Sequence, residues 1–431
     1  MNHDGWLVHR TVILCFIVFS VFLFCSVTAD TNQNPKDEIV VYGIYPTSGD
    51  LAQKGIEGKA AASLAIENLK TVYADIGSDR TYSLNSTDIS SDPDSALAAV
   101  KSLHESGVNL IIGTLSSAQL EAIKPYADSN GVVIVATGSS ATSLTIPDDN
   151  IFRLNPDDSS EEAALNSLLQ KENIGYVIPL VREDSWSNFQ GETILNRSMK
   201  SLSSDEVVRY NASATDYKEI VSRLDSLVGS ALDREDKSSV AVLAFTFDDI
   251  IPIMEEASSS AYPNLSLVQW IGTDGNTFGQ KLLKSEKAAD FADQRKFSGY
   301  TLTLVDLFSS KIPLQMKEKI GYEPDGYAFS AYEAADIAAQ VLSMHGSQEA
   351  KQLKEALVSV IEKYHGISGS MSINAAGDKT RASYGFFTLE KDSSGNFVWK
   401  NIGDWMKWAD SAVPSVRNPD NVDAWYPVNS S

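Results

Sequence analysis

Short runs of β-branched and aliphatic residues alternate along this chain with longer segments whose apolar positions recur every three or four residues. Residues 39–44 form one such run, and within 53–69 Ile56, Ala60, Leu64, Ala65 and Leu69 fall at helical spacing. Together they predict one strand–helix unit. The unit recurs as strand 108–112 with helix 118–128, strand 132–136, strand 174–181 with helix 186–201, strand 240–245 with helix 248–258, and strand 267–271. Alternation of this kind predicts parallel sheets covered by helices on both faces, and two blocks of it, before and after about residue 156, predict two doubly wound α/β lobes. Towards the C-terminus the period changes. Residues 369–373, 384–390 and 397–403, separated by Ala376-Gly377-Asp378 and Ser394-Gly395-Asn396, predict antiparallel strands.

The N-terminus belongs to neither lobe. Arg10 precedes an almost wholly apolar stretch, 12–27, and Val27-Thr28-Ala29 places small residues before Asp30, which reads as a signal peptide over 1–29. An uncleaved membrane anchor is the competing reading. A lipid-modified Cys25 is disfavoured by Phe24, where a small residue is wanted. Five Asn-x-Ser/Thr triplets, at Asn85, Asn196, Asn211, Asn264 and Asn429, suit an exported surface.

Composition narrows the function by exclusion. The 431 residues carry a formal charge of −22, which repels phosphate backbones, so nucleic acid is not an expected partner. Cys15 and Cys25 both lie in the N-terminal apolar stretch, leaving no disulfide framework or thiolate metal site beyond it. His104, His345 and His365 are far apart and not grouped with acids. No nucleotide-binding glycine motif, Gly-x-Ser-x-Gly elbow or His-Glu-x-x-His is present, so no cofactor is expected and an exported hydrolase is the weaker alternative.

In doubly wound sheets ligands bind beyond the carboxyl ends of the strands. The loops there in the first block are 46–52, 113–118 and 137–142, all rich in Gly, Ser and Thr, and suited to binding an anion at helix N-termini. In the second block the corresponding positions hold Arg182, Asp184 and Trp186, then Phe247-Asp248-Asp249, then Gly272-Thr273-Asp274-Gly275-Asn276. One lobe offers anion donors; the other offers acids and aromatic faces suited to an ammonium.

With these segments in order, the chain resembles the branched-chain amino-acid type of periplasmic solute-binding proteins, which have the type I periplasmic binding fold and serve ABC importers. The resemblance is carried by Ser48-Gly49-x-Leu51-Ala52, Gly113-Thr114-Leu115-Ser116-Ser117, Asp184-Ser185-Trp186, Gly272-Thr273-Asp274-Gly275 and Tyr332-Glu333-Ala334. It implies two lobes joined by a three-strand hinge, each discontinuous: 38–156 with 305–366, and 157–304 with 367–412, followed by a tail, 413–431. It further implies Ser117, Gly138 and Ser140 for a ligand carboxylate, Asp274 and the Gly138 carbonyl for its ammonium, and Trp186 with Tyr327 for apolar cover. Lys54 and Trp186 depart from the aromatic and the Tyr often found at their positions.

Plainer roles compete for each residue. Ser116 and Ser117 could be helix caps, Asp274 a turn residue, and Trp186 and Tyr327 core aromatics. Arg182 reads as a surface ion-pair partner and Lys54 as a residue on a solvated helix end. The expected function is a non-enzymatic, exported receptor that captures a small polar solute, an amino acid or a relative, and presents it to an ABC permease. A sensory ectodomain acting in trans on a signalling partner is the alternative.

Overall fold

The computed structural model describes residues 38–184, 186–188, 207–303, 311–346, 349–407, 415–417 and 425–427. The expected signal segment, Asn196, Asn429 and most of the helix expected over 186–201 lie outside them.

The first sheet contains β1 (Glu38–Tyr45), β2 (Thr81–Asp88), β3 (Leu110–Gly113), β4 (Val133–Ala136) and β5 (Ile151–Arg153), all parallel, in the order β2-β1-β3-β4-β5. Its central strands are wholly apolar and buried because helices cover both faces. On one side lie α1 (Ala52–Asp75) and, from much later in the chain, α10 (Gly326–His345) and α11 (Ala350–Ile361). On the other are α2 (Pro93–Glu105) and α3 (Ser117–Asn130). Helix α10 reaches the sheet through small residues, Ala328, Ala331, Ala334, Ala335 and Ala338, which let it pack closely on Ala61, Ala62 and Ala65 of α1.

The second sheet repeats the order with β6 (Tyr176–Glu183), β7 (Val208–Asn211), β8 (Val240–Phe245), β9 (Gln269–Gly272) and β10 (Ser298–Leu302), parallel as β7-β6-β8-β9-β10. Beyond β10 it turns antiparallel through β13 (Ala382–Lys391), β14 (Phe397–Lys407), β15 (Ser415–Arg417) and β16 (Trp425–Pro427). One face packs against α5 (Lys218–Leu232), α6 (Ile250–Ala257) and α8 (Glu286–Gln294), which follows the short α7 (Gln280–Lys284). The other face packs against α4 (Asp158–Lys171). The strand expected over 369–373 is shorter: Gly369–Ser370, β12, pairs only with β11, His365–Gly366, because Asn374 Oδ1 accepts from the N–H groups of Ala376 and Asp378 and curls the chain into a turn.

The chain passes between sheets after β5, after β10 and after α11. A buried pair ties the first and third passages: Arg153 Nε and Nη2 reach the two carboxylate oxygens of Asp378 at 2.6 and 2.7 Å. Near them Glu333 on α10 accepts from the N–H and hydroxyl of Ser368, both at 2.8 Å, and faces Lys379 at 3.7 Å. Helix α9 (Ile312–Ile320) continues the chain after the second passage.

Candidate functional site

A strand order of 2-1-3-4-5 reverses direction between its first and third strands, and the divergent loops leave a crevice there. Both sheets have this reversal, and the two crevices face each other. In the first sheet the loops after β1 and β3 supply Leu51, Lys54, Leu115, Ser116 and Ser117; in the second, the loops after β6 and β8 supply Trp186 and Phe247. Gly138, Ser140, Asp274, Gly275 and Tyr327 complete the wall. The cavity between them is about 20 Å³, room for roughly one water. Two larger grooves, about 600 and 1000 Å³, lie near Asp149 and Lys354 and near Arg295 and Phe397, away from these loops.

On the first-sheet side the loop geometry is tightly fixed. Ser116 is the N-cap of α3, accepting from Gln119 N–H while the Gln119 side chain accepts from Ser116 N–H. Ser117, one residue on, is buried, and its Oγ accepts from Ala141 N–H at 3.1 Å and from the Ser139 hydroxyl at 3.2 Å. The two serines thus divide the work: one caps the helix, the other ties it to the 137–142 loop. Gly138 is demanded by contact, since a Cβ there would meet Leu115 O at 2.8 Å.

On the second-sheet side Asn276, not Asp274, makes the turn: its Oδ1 accepts from Thr273 N–H at 3.1 Å and its amide donates to Ala244 O and Thr246 Oγ1. Asp274 is left to face the crevice, where its Oδ2 accepts from the Tyr327 hydroxyl at 2.5 Å. Its Oδ1 is buried with no hydrogen-bond partner. Trp186 stacks on Phe247 with ring centroids 5.1 Å apart and an interplanar angle of 22°. Burial pushes the Asp274 carboxyl above its ordinary range, partly offset by Lys54 and by the Tyr327 hydroxyl.

Two expectations are corrected. Lys54 is not on a solvated helix end: its side chain is 16% exposed, it is bonded to Asp325 at the N-cap of α10, and its Nζ lies 4.9 Å from the centre of the Tyr327 ring. Burial works against its charge, but Asp325 and Asp274 outweigh that and hold its pKa up. Arg182 is not a surface partner either. It is mostly buried and ion-pairs with Asp50 at 2.9 Å, Asp184 at 3.1 Å and Asp249 at 3.5 Å, the first of these reaching across from the other sheet.

A family described as periplasmic binding protein matches residues 38–395. The chain belongs to that family. It is a family of binding proteins, not of enzymes. A curated relative, an uncharacterized protein of Methanocaldococcus jannaschii, is 24% identical over 399 residues, covering 88% of this chain and 92% of that one. Among solved structures, a leucine binding protein from Thermotoga maritima superposes with a TM-score of 0.68 at 19% identity, covering 89% of this chain and 99% of its own. The substrate binding protein of a branched-chain amino acid transporter from Streptococcus pneumoniae, in complex with isoleucine, gives 0.66 at 18%, covering 84% and 100%. An ABC transporter solute binding protein from R. palustris, in complex with 4-hydroxybenzoate, gives 0.67 at 17%, covering 85% and 97%. At these identities the likeness is one of fold, the type I periplasmic binding fold.

In this member of the periplasmic binding protein family all six residues singled out in the sequence, Ser117, Gly138, Ser140, Trp186, Asp274 and Tyr327, line one cavity. Sequence reasoning missed the acids behind them. Asp158 and Glu161 occupy the first turn of α4, and both are buried. Glu161 Oε1 lies 3.3 Å from the Tyr327 hydroxyl and Oε2 lies 3.4 Å from that of Tyr300. Their signal was present: Asp157, an N-cap, opens an acidic turn ahead of the apolar pattern Ala164, Leu165, Leu168 and Leu169.

Proposed function

We propose that this protein is an extracytoplasmic receptor that captures a small solute bearing an amine and a carboxylate between two lobes and delivers it to an ABC importer. The observation that carries the reading is the single cavity shared by Asp274, from the second sheet, and by Ser117, Gly138 and Ser140, at the N-terminus of α3 and the loop beside it. A carboxylate is stabilised at the helix end by oriented N–H groups, and an ammonium by Asp274, so the solute is gripped by a different lobe at each end. The lobes we assign are 38–156 with 305–366 and 157–304 with 367–412.

A cavity of about 20 Å³ is far below the roughly 300–1,000 Å³ of small-molecule sites, so entry requires the lobes to separate. Three passages of chain between the sheets suit hinge opening and closing around a ligand. The family's periplasmic setting and the solutes named for the structurally similar proteins support the reading, as does an N-terminus that reads as an export signal.

A thermal-shift screen over amino acids and small carboxylates tests it. A ligand at 100 times its dissociation constant adds about 2.7 kcal/mol of stability. Asp274→Asn should then weaken an amino-acid hit by about thirtyfold or more, and its des-amino analogue much less. Chemical conversion of the ligand, or equal binding of both compounds by both proteins, would overturn the proposal.

A further inference from the structure

Carboxylates outnumber bases around the cavity. Tyr327 reaches Asp274 on one side and Glu161 on the other, so one hydroxyl lies between two buried acids. Asp158, three residues before Glu161 on the same helix face, shares the Ser140 hydroxyl with it, and Ser140 itself lines the cavity. Glu57 stands behind Lys54 on α1, held by the Gln53 amide at 2.8 Å. The cations acting on these acids are Lys54 and Arg153, and each is already bonded to another carboxylate, Asp325 and Asp378 respectively.

This is the balance of a site awaiting positive charge. Burial and mutual repulsion push the Glu161 carboxyl far above its ordinary range and that of Asp158 up to about 7. Asp274 is 7% exposed, lines the cavity and keeps Oδ1 without a partner. The stacked Trp186 and Phe247 rings form the adjoining wall, and the indole is so close that a Cβ on Gly275 would lie 2.9 Å from it. Aromatic faces beside a buried carboxylate with one oxygen still to be satisfied favour an ammonium. Among the described residues no group of His, Cys, Asp and Glu is placed to hold a metal ion.

Resting on the receptor reading above, we propose that the captured solute carries net positive charge, as a basic amino acid does, and that Glu161 is the positioning residue that sets this preference through Tyr327 and Asp274. A zwitterion with one amine and one carboxylate leaves the charge balance of the crevice unchanged. A monoanion worsens it. A second amine offsets it, and the desolvation of that amine is compensated by acids that are already buried.

The test is calorimetric titration of the full chain at pH 8 with four probes: L-lysine, putrescine, L-leucine and benzoate. Lysine should bind at least about tenfold more tightly than leucine, putrescine, which lacks the carboxylate, less tightly than lysine, and benzoate weakest. Glu161→Gln should reduce the lysine-to-leucine ratio by about tenfold, and Glu161→Asp should restore part of it. If Glu161→Gln does not fold, the wild-type order and Glu161→Asp decide. Tighter binding of leucine or benzoate than of lysine, or a ratio that Glu161 variants do not move, overturns this inference and leaves the receptor standing. Binding of none of the four overturns both.

Discussion

The Tyr327 hydroxyl donates to Asp274 Oδ2 at 2.5 Å; Tyr327 opens α10, a helix that covers the first sheet, while its side chain packs into the core of the second. Both are buried, and the bond ties the start of α10 to the loop after β9. Tyr327→Phe removes the hydroxyl and keeps the ring over which Lys54 sits. The closed form should lose about 1.5–3 kcal/mol, the worth of a hydrogen bond to a charged group. Small-angle scattering should show a larger radius of gyration than wild type. An unchanged radius and melting temperature would show that the bond does not hold the lobes together.

Asp50 and Arg182 make a second bridge between the sheets, but with unequal exposure: the Asp50 side chain is 46% exposed and that of Arg182 11%. Their substitutions should therefore differ. Asp50→Asn removes a half-solvated partner and should cost at most about 1 kcal/mol. Arg182→Met strands Asp184 and Asp249 in a buried setting and should cost about 3–5 kcal/mol. Urea unfolding of the two variants measures the contrast, and equal losses would contradict it.

Ser116 and Ser117 are adjacent and should separate cleanly. Ser116→Ala loses the cap of α3 and should lower stability by about 1 kcal/mol without changing ligand affinity. Ser117→Ala frees Ala141 N–H and the Ser139 hydroxyl and loosens the loop carrying Gly138 and Ser140, so affinity for the screen's best hit should fall. Paired melting and titration experiments read both. The reverse pattern would exchange their roles.

The acids of α4 also set the response to pH. Asp158 is raised from 3.8 to about 7 in the folded chain, chiefly by burial, and Glu161 is raised further above its ordinary value. The folded state therefore holds protons that the unfolded state has released. Their contribution to stability is fully present below about pH 4 and is lost as pH rises through 7. Ligand-free protein should melt at a higher temperature at pH 5 than at pH 8, and Asp158→Asn should flatten that difference. A melting temperature that rises over this interval would contradict the assignment.

The legible parts of the fold were those whose residues announce their environment. Strand β8 was read from its sequence with its observed ends, because six consecutive apolar residues buried on both faces have no other use. Strand β2 was not, since Thr81–Asp88 lies at the sheet edge and carries polar residues at most positions. Helix α10 hid its role behind alanines, which pack well and carry little hydrophobic signal. At the site, post-strand position marked the loops that hold Ser117, Trp186 and Asp274, because the strand order decides where loops converge, and the family resemblance implied the residues within them. Lys54, Asp158 and Glu161 escaped because charged residues in a first helical turn ordinarily face water. Glu161 is buried because α4 turns it towards Tyr300 of the second sheet and towards Tyr327, and Lys54 because Asp325 and the Tyr327 ring close over it.

One face of the first sheet is completed by helices made long after its strands. Strands β1 to β5 end at Arg153, yet Leu110, Val133 and Phe152 pack with Ala338, Leu357 and Ile361 of α10 and α11. At about 5–20 residues per second, roughly 10–40 s of synthesis separate that sheet from its cover. The emerging chain thus carries a finished strand set whose apolar side only α1 covers until α10 and α11 arrive. Until then the exposed apolar residues of β3, β4 and β5 delay the packing of this sheet.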